Sequence, residues 1–192
     1  MKVLGIGGSL RENSNSLYLL NVAIEELKQA GIETEIISLR NKKIEPCTGC
    51  YDCREAHVCT IAGDDFNEIF DKMMAAKGII LSSPVYVSSV TPPLMNVLCR
   101  SAFVAHWGGK MMMGKVGGPI TVAQRAGQNT ALSQLLLWFF FNGITVPGSI
   151  YWNIGVAGTG GAHDAEKDTI GIQTIKAFGK NMSEIMNKLF VS

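Results

Sequence analysis

Short, continuous apolar runs alternate along this chain with stretches in which apolar residues recur every three or four positions. Val3 to Gly7 is apolar and ends in glycines, the mark of a buried first strand. Leu17, Leu20, Ile24 and Leu27 then fall on one helix face, and Gly31 ends that helix. Glu33 to Leu39 reads as a second strand. Phe66, Ile69, Phe70 and Met73 mark a second helix, capped by Asp64 or Asp65. Gly78 to Ser82 is a third buried strand, and Pro92 to Phe103 a helix opened by prolines. A fourth strand lies near Pro119 to Ala123, a helix covers about Asn129 to Phe141, and a fifth strand starts near Ile144. Ile175, Phe178, Met182, Ile185 and Leu189 repeat at helical spacing in a closing amphipathic helix.

Strands alternating with helices imply parallel strands covered on both faces. Five such units, with no repeat or linker between residues 1 and 192, predict one α/β domain. The expected architecture is a doubly wound, flavodoxin-like five-stranded parallel sheet of order 2-1-3-4-5. Ligands in such sheets sit at the carboxyl ends of strands, where strands one and three diverge.

Composition narrows the partners. Charged residues make up 17% of the chain, below the roughly 25% usual for soluble domains, so part of the surface is expected to be buried in a homo-oligomer, a dimer or tetramer. A formal net charge of +1 gives no bias toward nucleic acid or an anionic membrane. The first apolar run is too short for a signal peptide, and Leu135 to Phe141 is far below the ~20 residues that span a bilayer. The expectation is a cytoplasmic protein, in which clustered cysteines serve as ligands or redox centres rather than disulfides.

The loop after strand one, Gly7 to Ser16, offers hydroxyls at Ser9, Ser14 and Ser16, amides at Asn13 and Asn15, and the cation of Arg11. A helix N-terminus there is a ready anion site. The loop lacks the lysine of a P-loop and the G-x-G-x-x-G pattern, so a flavin monophosphate suits it better than a nucleoside triphosphate. An ordinary Ser/Asn-rich turn with an N-cap is the plain alternative. Pro84, Val85, Tyr86, Val87 and Ser88 leave strand three at the switch point, and the loop Ala123 to Asn129, with Ala123 and Gly127 as its site candidates, leaves strand four. Both are suited to the polar edge of an isoalloxazine ring. Together, "GSLRENSNS" and "SSPVY" resemble the NADPH-dependent FMN reductases. The resemblance implies phosphate contacts from Ser9, Arg11 and Asn13 to Ser16, and ring contacts from Pro84 to Ser88.

Four of the five cysteines stand at Cys47-x2-Cys50-x2-Cys53-x5-Cys59. Four closely spaced thiolates can wrap one iron–sulfur cubane. Structural zinc more often uses two separated knuckles, and zinc or free redox thiols are the alternatives. With the flavin loops, this motif resembles the iron–sulfur flavoprotein family of anaerobic archaea and bacteria. That resemblance implies FMN, a [4Fe–4S] cluster held by the four cysteines in a loop inserted over residues 45–63 after strand two, and a homotetramer. The serine-rich phosphate loop departs from that family toward the FMN reductases, which keeps direct reduction by NAD(P)H open.

Other positions carry plainer expectations. Cys99 reads as a small core residue, His57 as a solvated loop residue, and "LLLWFFF" as a helix buried on all sides in the core or at a subunit interface. "HWGGKMMMGK" is a surface excursion or a lip over a partner's flavin, and "GVAGTGGAHD" a flexible loop or a second nucleotide site. Strand two neighbours strand one, so the cysteine loop and the flavin should share one sheet edge. The function expected is a redox flavoprotein passing electrons from a ferredoxin-like donor through the cluster and FMN to a two-electron acceptor. The alternatives are an NAD(P)H-dependent FMN or quinone reductase with structural or vestigial cysteines, and a non-enzymatic electron carrier or redox sensor. No acid–base catalyst is called for.

Overall fold

A computed structural model describes residues 1–190. Five strands, β1 (Lys2–Gly7), β2 (Glu33–Ser38), β3 (Gly78–Pro84), β4 (Val116–Ala123) and β5 (Ile154–Val156), form one parallel sheet of order β2-β1-β3-β4-β5. The helices are α1 (Asn15–Gln29), α2 (Cys53–Ala56), α3 (Phe66–Ala75), α4 (Pro92–Trp107), α5 (Gln128–Phe141) and α6 (Thr169–Phe190). This is the flavodoxin-like arrangement the alternation of elements predicts.

The pleat divides the strand residues between two cores. Leu4, Ile6, Ile79 and Leu81 join α3, α4 and α5 on one face, while Val3 and Ile80 join α1 and α6 on the other. The helices on the second face approach closely at Gly179, where a Cβ would stand 2.9 Å from the Ala23 carbonyl oxygen. Among the described residues no helix is long and apolar enough to cross a membrane.

Several elements differ from the sequence expectation. The fifth strand begins at Ile154, ten residues beyond Ile144. Near Ile144 the chain makes only a parallel bridge between Val116 and Thr145. Pro147, which has no N–H to donate, and Gly148 follow at once, and the chain leaves the sheet. Helix α4 runs four residues past Phe103 and takes in His106 and Trp107. Cys99 is exposed rather than core, because α4 buries Leu94, Val97, Leu98, Ser101, Val104 and Ala105, and residue 99 falls on the opposite side. In α6 the buried stripe ends on Met186, while Ile185 is half-buried and Leu189 exposed.

"LLLWFFF" is not enclosed by its own chain. Leu135, Trp138 and Phe139 are buried, but Leu137 is 68% and Phe140 84% exposed. Leu137 and Phe140 border one shallow groove, and Phe140 and Phe141 lie with Met113 along another, which leaves an apolar surface.

One buried cation tests the packing at the amino edge of the sheet. Lys115 is buried, and its Nζ donates to the Met74 carbonyl at 2.8 Å and to that of Ala76, at the C-terminal end of α3. Burial, with Lys77 nearby, pushes its pKa down to about 8 from 10.5. Between these values the unfolded chain binds more protons than the folded one, so this group makes stability rise with pH from about 8 to 10.5. Urea unfolding of wild type and Lys115→Met across that window should show the wild type gaining on the variant as pH rises. A constant difference would contradict the assignment.

Candidate functional site

At the carboxyl edge of the sheet, β1 hands over to a loop pinned by buried polar groups. The Gly8 amide donates to the Ser82 carbonyl at 2.7 Å, and the Gly8 carbonyl accepts from Thr91 Oγ1 at 2.7 Å. Ser9 is buried and its Oγ accepts from the Arg11 amide. Ser14 is the N-cap of α1, with extended backbone, and its Oγ accepts from the Leu17 amide at 3.0 Å and lies 3.3 Å from Ser16 Oγ. The Asn15 and Ser16 amides remain at the positive end of the helix, where an anion is favoured.

A cleft of ≈ 180 Å³ opens against this turn. Ser9, Arg11, Ser14, Asn15 and Ser16 form one wall, and Pro84, Val85, Tyr86 and Ala123 another. Of the residues expected at the site, Asn13, Val87, Ser88 and Gly127 stand outside this lining. The Asn13 carbonyl is instead bonded to His163 Nδ1. Val87 and Ser88 are the tip of a tight turn closed by reciprocal Tyr86–Ser89 backbone bonds, with φ of +48° and +64°. Gly127 supports that turn: at φ +91°, a side chain there would be strained and its Cβ would lie 3.0 Å from Val85 Cγ1 and 3.1 Å from Ser88 Oγ.

Val122 and, from the loop already expected after strand four, Gln124 also line the cleft, and the sequence reading did not assign to it the remaining three, Ala157, Gly158 and His163. The last three belong to the loop after β5. Placing that strand ten residues early hid the fact that this loop also rises from the carboxyl edge. Asn15 ties the two ends of the chain together here. Its Nδ2 donates to the Ala162 carbonyl at 3.0 Å, and its Oδ1 accepts from the Asp164 and Ala165 amides at 3.0 and 3.1 Å. The Asn15 side chain is therefore committed to the loop.

The four clustered cysteines line a second pocket together with Thr60, Arg100, Phe103 and Val104 of their surroundings. Cys47 and Cys50 are exposed, Cys53 and Cys59 half-buried, and none is in a disulfide. Left-handed backbone at Gly49, Tyr51 and His57 turns the chain around the pocket, while the His57 side chain is exposed and outside the lining. Burial pushes the Cys53 thiol up, and Cys59, Cys50 and Cys47 nearby add in the same direction.

Arg100 anchors this loop. It is 1% exposed, its Nε donates to Cys59 Sγ at 3.2 Å, and its terminal nitrogens donate to the Glu45 carbonyl at 3.1 Å, the Ile61 carbonyl at 3.2 Å and both carboxylate oxygens of Asp64. Burial works against the Asp64 charge, yet bonds from Arg100 and from the Glu45 and Phe66 amides hold its carboxyl below the usual range. The guanidinium also lies over the Phe66 ring, 4.0 Å from the centroid.

Among the described residues, no three His, Cys, Asp or Glu side chains gather closely enough to hold a single ion. The four thiols on one pocket match in kind and number the ligands that an iron–sulfur cluster takes. The two pockets have no lining residue in common. Thr91, at the start of α4, bonds to Gly8 beside the cleft, whereas Arg100 and Phe103 lie eight or more residues farther, roughly 12 Å along the helix. The cysteine loop thus packs on α4, and its pocket is separate from the cleft.

Residues 1–159 match the family described as NADPH-dependent FMN reductase. An iron–sulfur flavoprotein of Methanocaldococcus jannaschii is 37% identical, with 97% of each chain covered. Another, of Methanosarcina thermophila, is 31% identical over 97% of this chain and 95% of its own. The chain belongs to the iron–sulfur flavoprotein family. It is accordingly a redox flavoprotein and an FMN-dependent oxidoreductase within the FMN reductase group. The fold is shared with RosB, solved with bound 8-demethyl-8-formylriboflavin-5'-phosphate, at a TM-score of 0.74 and 20% identity, covering 98% of this chain and 81% of that one.

The Asn15 latch predicts a local defect. Asn15→Ala removes three hydrogen bonds worth about 1 kcal/mol each, a destabilisation of about 1–3 kcal/mol. Hydrogen exchange should show the Asp164 and Ala165 amides losing protection well before those of the sheet. Unchanged protection there would rule the latch out.

Proposed function

We propose that this oxidoreductase holds FMN in the cleft at the sheet edge and a [4Fe–4S] cluster on Cys47, Cys50, Cys53 and Cys59. When bound, the cluster would relay single electrons from a ferredoxin-like donor, and FMN would take them in pairs, with two protons, for a two-electron acceptor. The observation that carries this reading is the convergence of all four cysteines on one pocket, unpaired and within reach of solvent.

The chain's own residues have separable tasks. Ser9, Ser14, Ser16 and Arg11, with the first amides of α1, would receive the phosphate. Pro84 to Ser88, Ala123 and Gly127 would border the ring. The backbone at Val87 supports that role: a β-branched residue at φ +48°, wholly exposed, is strained without any packing to reward it. Such strain is concentrated at ligand clamps. The named relatives are iron–sulfur flavoproteins, which favours the cluster. The serine-rich phosphate loop and the description of the matched family favour a second reading, direct reduction of FMN by NAD(P)H.

We also assign the apolar surface on α5 to contact between copies. Phe140, Phe141, Leu137 and Met113 are exposed together, a cost that association would remove. Light scattering at micromolar concentration should give a dimer or tetramer. A mass equal to the 20.7 kDa chain would sink this assignment.

Alanine variants at each cysteine test the cofactor reading. After anaerobic purification, the Cys47, Cys50, Cys53 and Cys59 variants should each lose iron, sulfide and broad visible absorbance while keeping the flavin bands. Cys99→Ala should keep both, since Cys99 is exposed outside the pocket lining. Ferredoxin-driven turnover should vanish in the four variants. Undiminished NAD(P)H turnover in all five would instead support the reductase. Wild-type protein containing FMN but no iron would defeat the cluster assignment.

A further inference from the structure

The geometry points to Arg100 as the residue that positions Cys59 and sets the reduction potential of the centre held there, through a directed N–H···S bond. This inference rests on the cluster reading above. A guanidinium has five N–H donors in a fixed plane, and here all five are engaged. Four go to the Glu45 and Ile61 carbonyls and to the two oxygens of Asp64. Those bonds and the Phe66 ring under the guanidinium fix its plane. The fifth donor, Nε–H, is thereby aimed at Cys59 Sγ, 3.2 Å away.

Mere anchoring of the loop does not require that fifth bond, because the other four already join α4 to both ends of it. A thiol is a weak acceptor, whereas a thiolate ligated to iron is a charged one, so the bond gains strength when the site is loaded. Reduction by one electron adds a negative charge to the cluster and its ligands, with no bond made or broken. A donor aimed at a ligating sulfur stabilises that charge and raises the potential. Asp64, whose side chain is 1% exposed and paired to the same guanidinium, offsets the cation. The tuning therefore comes from the oriented N–H within a nearly neutral pair. Lysine, a point-like ammonium without the planar fork, cannot hold Asp64 with two bonds and direct a third donor to the sulfur.

Three variants test this on anaerobically prepared protein carrying both cofactors, by spectroelectrochemical titration with the FMN midpoint as an internal reference. Arg100→Lys and Arg100→Gln should shift the cluster midpoint to more negative values and leave the FMN midpoint in place. Arg100→Lys keeps a cation beside Asp64 and decides the matter should Arg100→Gln not fold. Asp64→Asn leaves the guanidinium uncompensated and should shift the cluster midpoint the other way. A purely structural role would move the Arg100 and Asp64 variants in the same direction or not at all, and either result overturns the proposal. Wild-type protein that takes up no iron and sulfide would instead overturn the cluster reading, and the role of Arg100 with it.

Discussion

A charged guanidinium fully removed from water is tolerable only when every donor is satisfied and its charge is matched. Arg100 meets both conditions, and the cysteine loop owes its place to the way it does so. Residues 39–65 contain no strand and only the single turn of α2. A segment of that length has little apolar area with which to fix itself. The partners of Arg100 are the loop's two ends, Glu45 near its start and Ile61 and Asp64 near its close. Arg100 closes the loop together with Asn96 of the same helix, which donates to the Ile44 carbonyl at 2.8 Å, and with Asp64 and Asp65, which accept from the Glu45 and Lys43 amides. The four thiols line the pocket between those ends. Removing either member of such a pair leaves a buried charge unmatched, which typically costs 3–5 kcal/mol.

The cleft at the sheet edge is built by a different rule. Parallel strands end together, and every loop leaving their carboxyl ends contributes some wall. Buried hydroxyls hold those loops in register: Ser82 Oγ on the Ser16 carbonyl at 2.7 Å, Thr91 Oγ1 on that of Gly8, and Ser83 Oγ accepting from the Thr91 amide at 3.2 Å. The chain closes the cleft with its last strand, since Asn15 at the start of α1 binds the loop that follows β5. Residues about 150 apart in sequence therefore share one wall.

Helix α4 connects the two sites mechanically. Its first turn bonds to the loop after β1, and its middle carries Arg100, Phe103 and Val104 to the cysteines. Displacement of the helix along its axis would disturb both at once. The cysteine pocket is reached by solvent through the exposed Cys47 and Cys50. The cleft at the sheet edge is lined by three serine hydroxyls, Arg11, the amides of Asn15 and Gln124, His163 and small or apolar residues, a mixture in keeping with the FMN site proposed there.

Sequence by itself determined the order and type of most elements, because buried parallel strands and amphipathic helices impose distinct apolar periods on the chain. It also brought Cys47, Cys50, Cys53 and Cys59 to one pocket, and the hydroxyls of Ser9, Ser14 and Ser16 to one turn, since local spacing suffices to bring those groups together. Spacing could not place β5, where Ile144 to Val146 has strand composition but Pro147 and Gly148 end the pairing after one bridge. Nor could it find the tertiary partners of Arg100, Asn15 or His163, which lie 36 to 150 residues away along the chain. The exposure of Cys99 and Phe140 was equally hidden, because an apolar helix records that it is apolar without recording which side the sheet covers. Those facts depend on which elements pack together, and tertiary structure alone decided them.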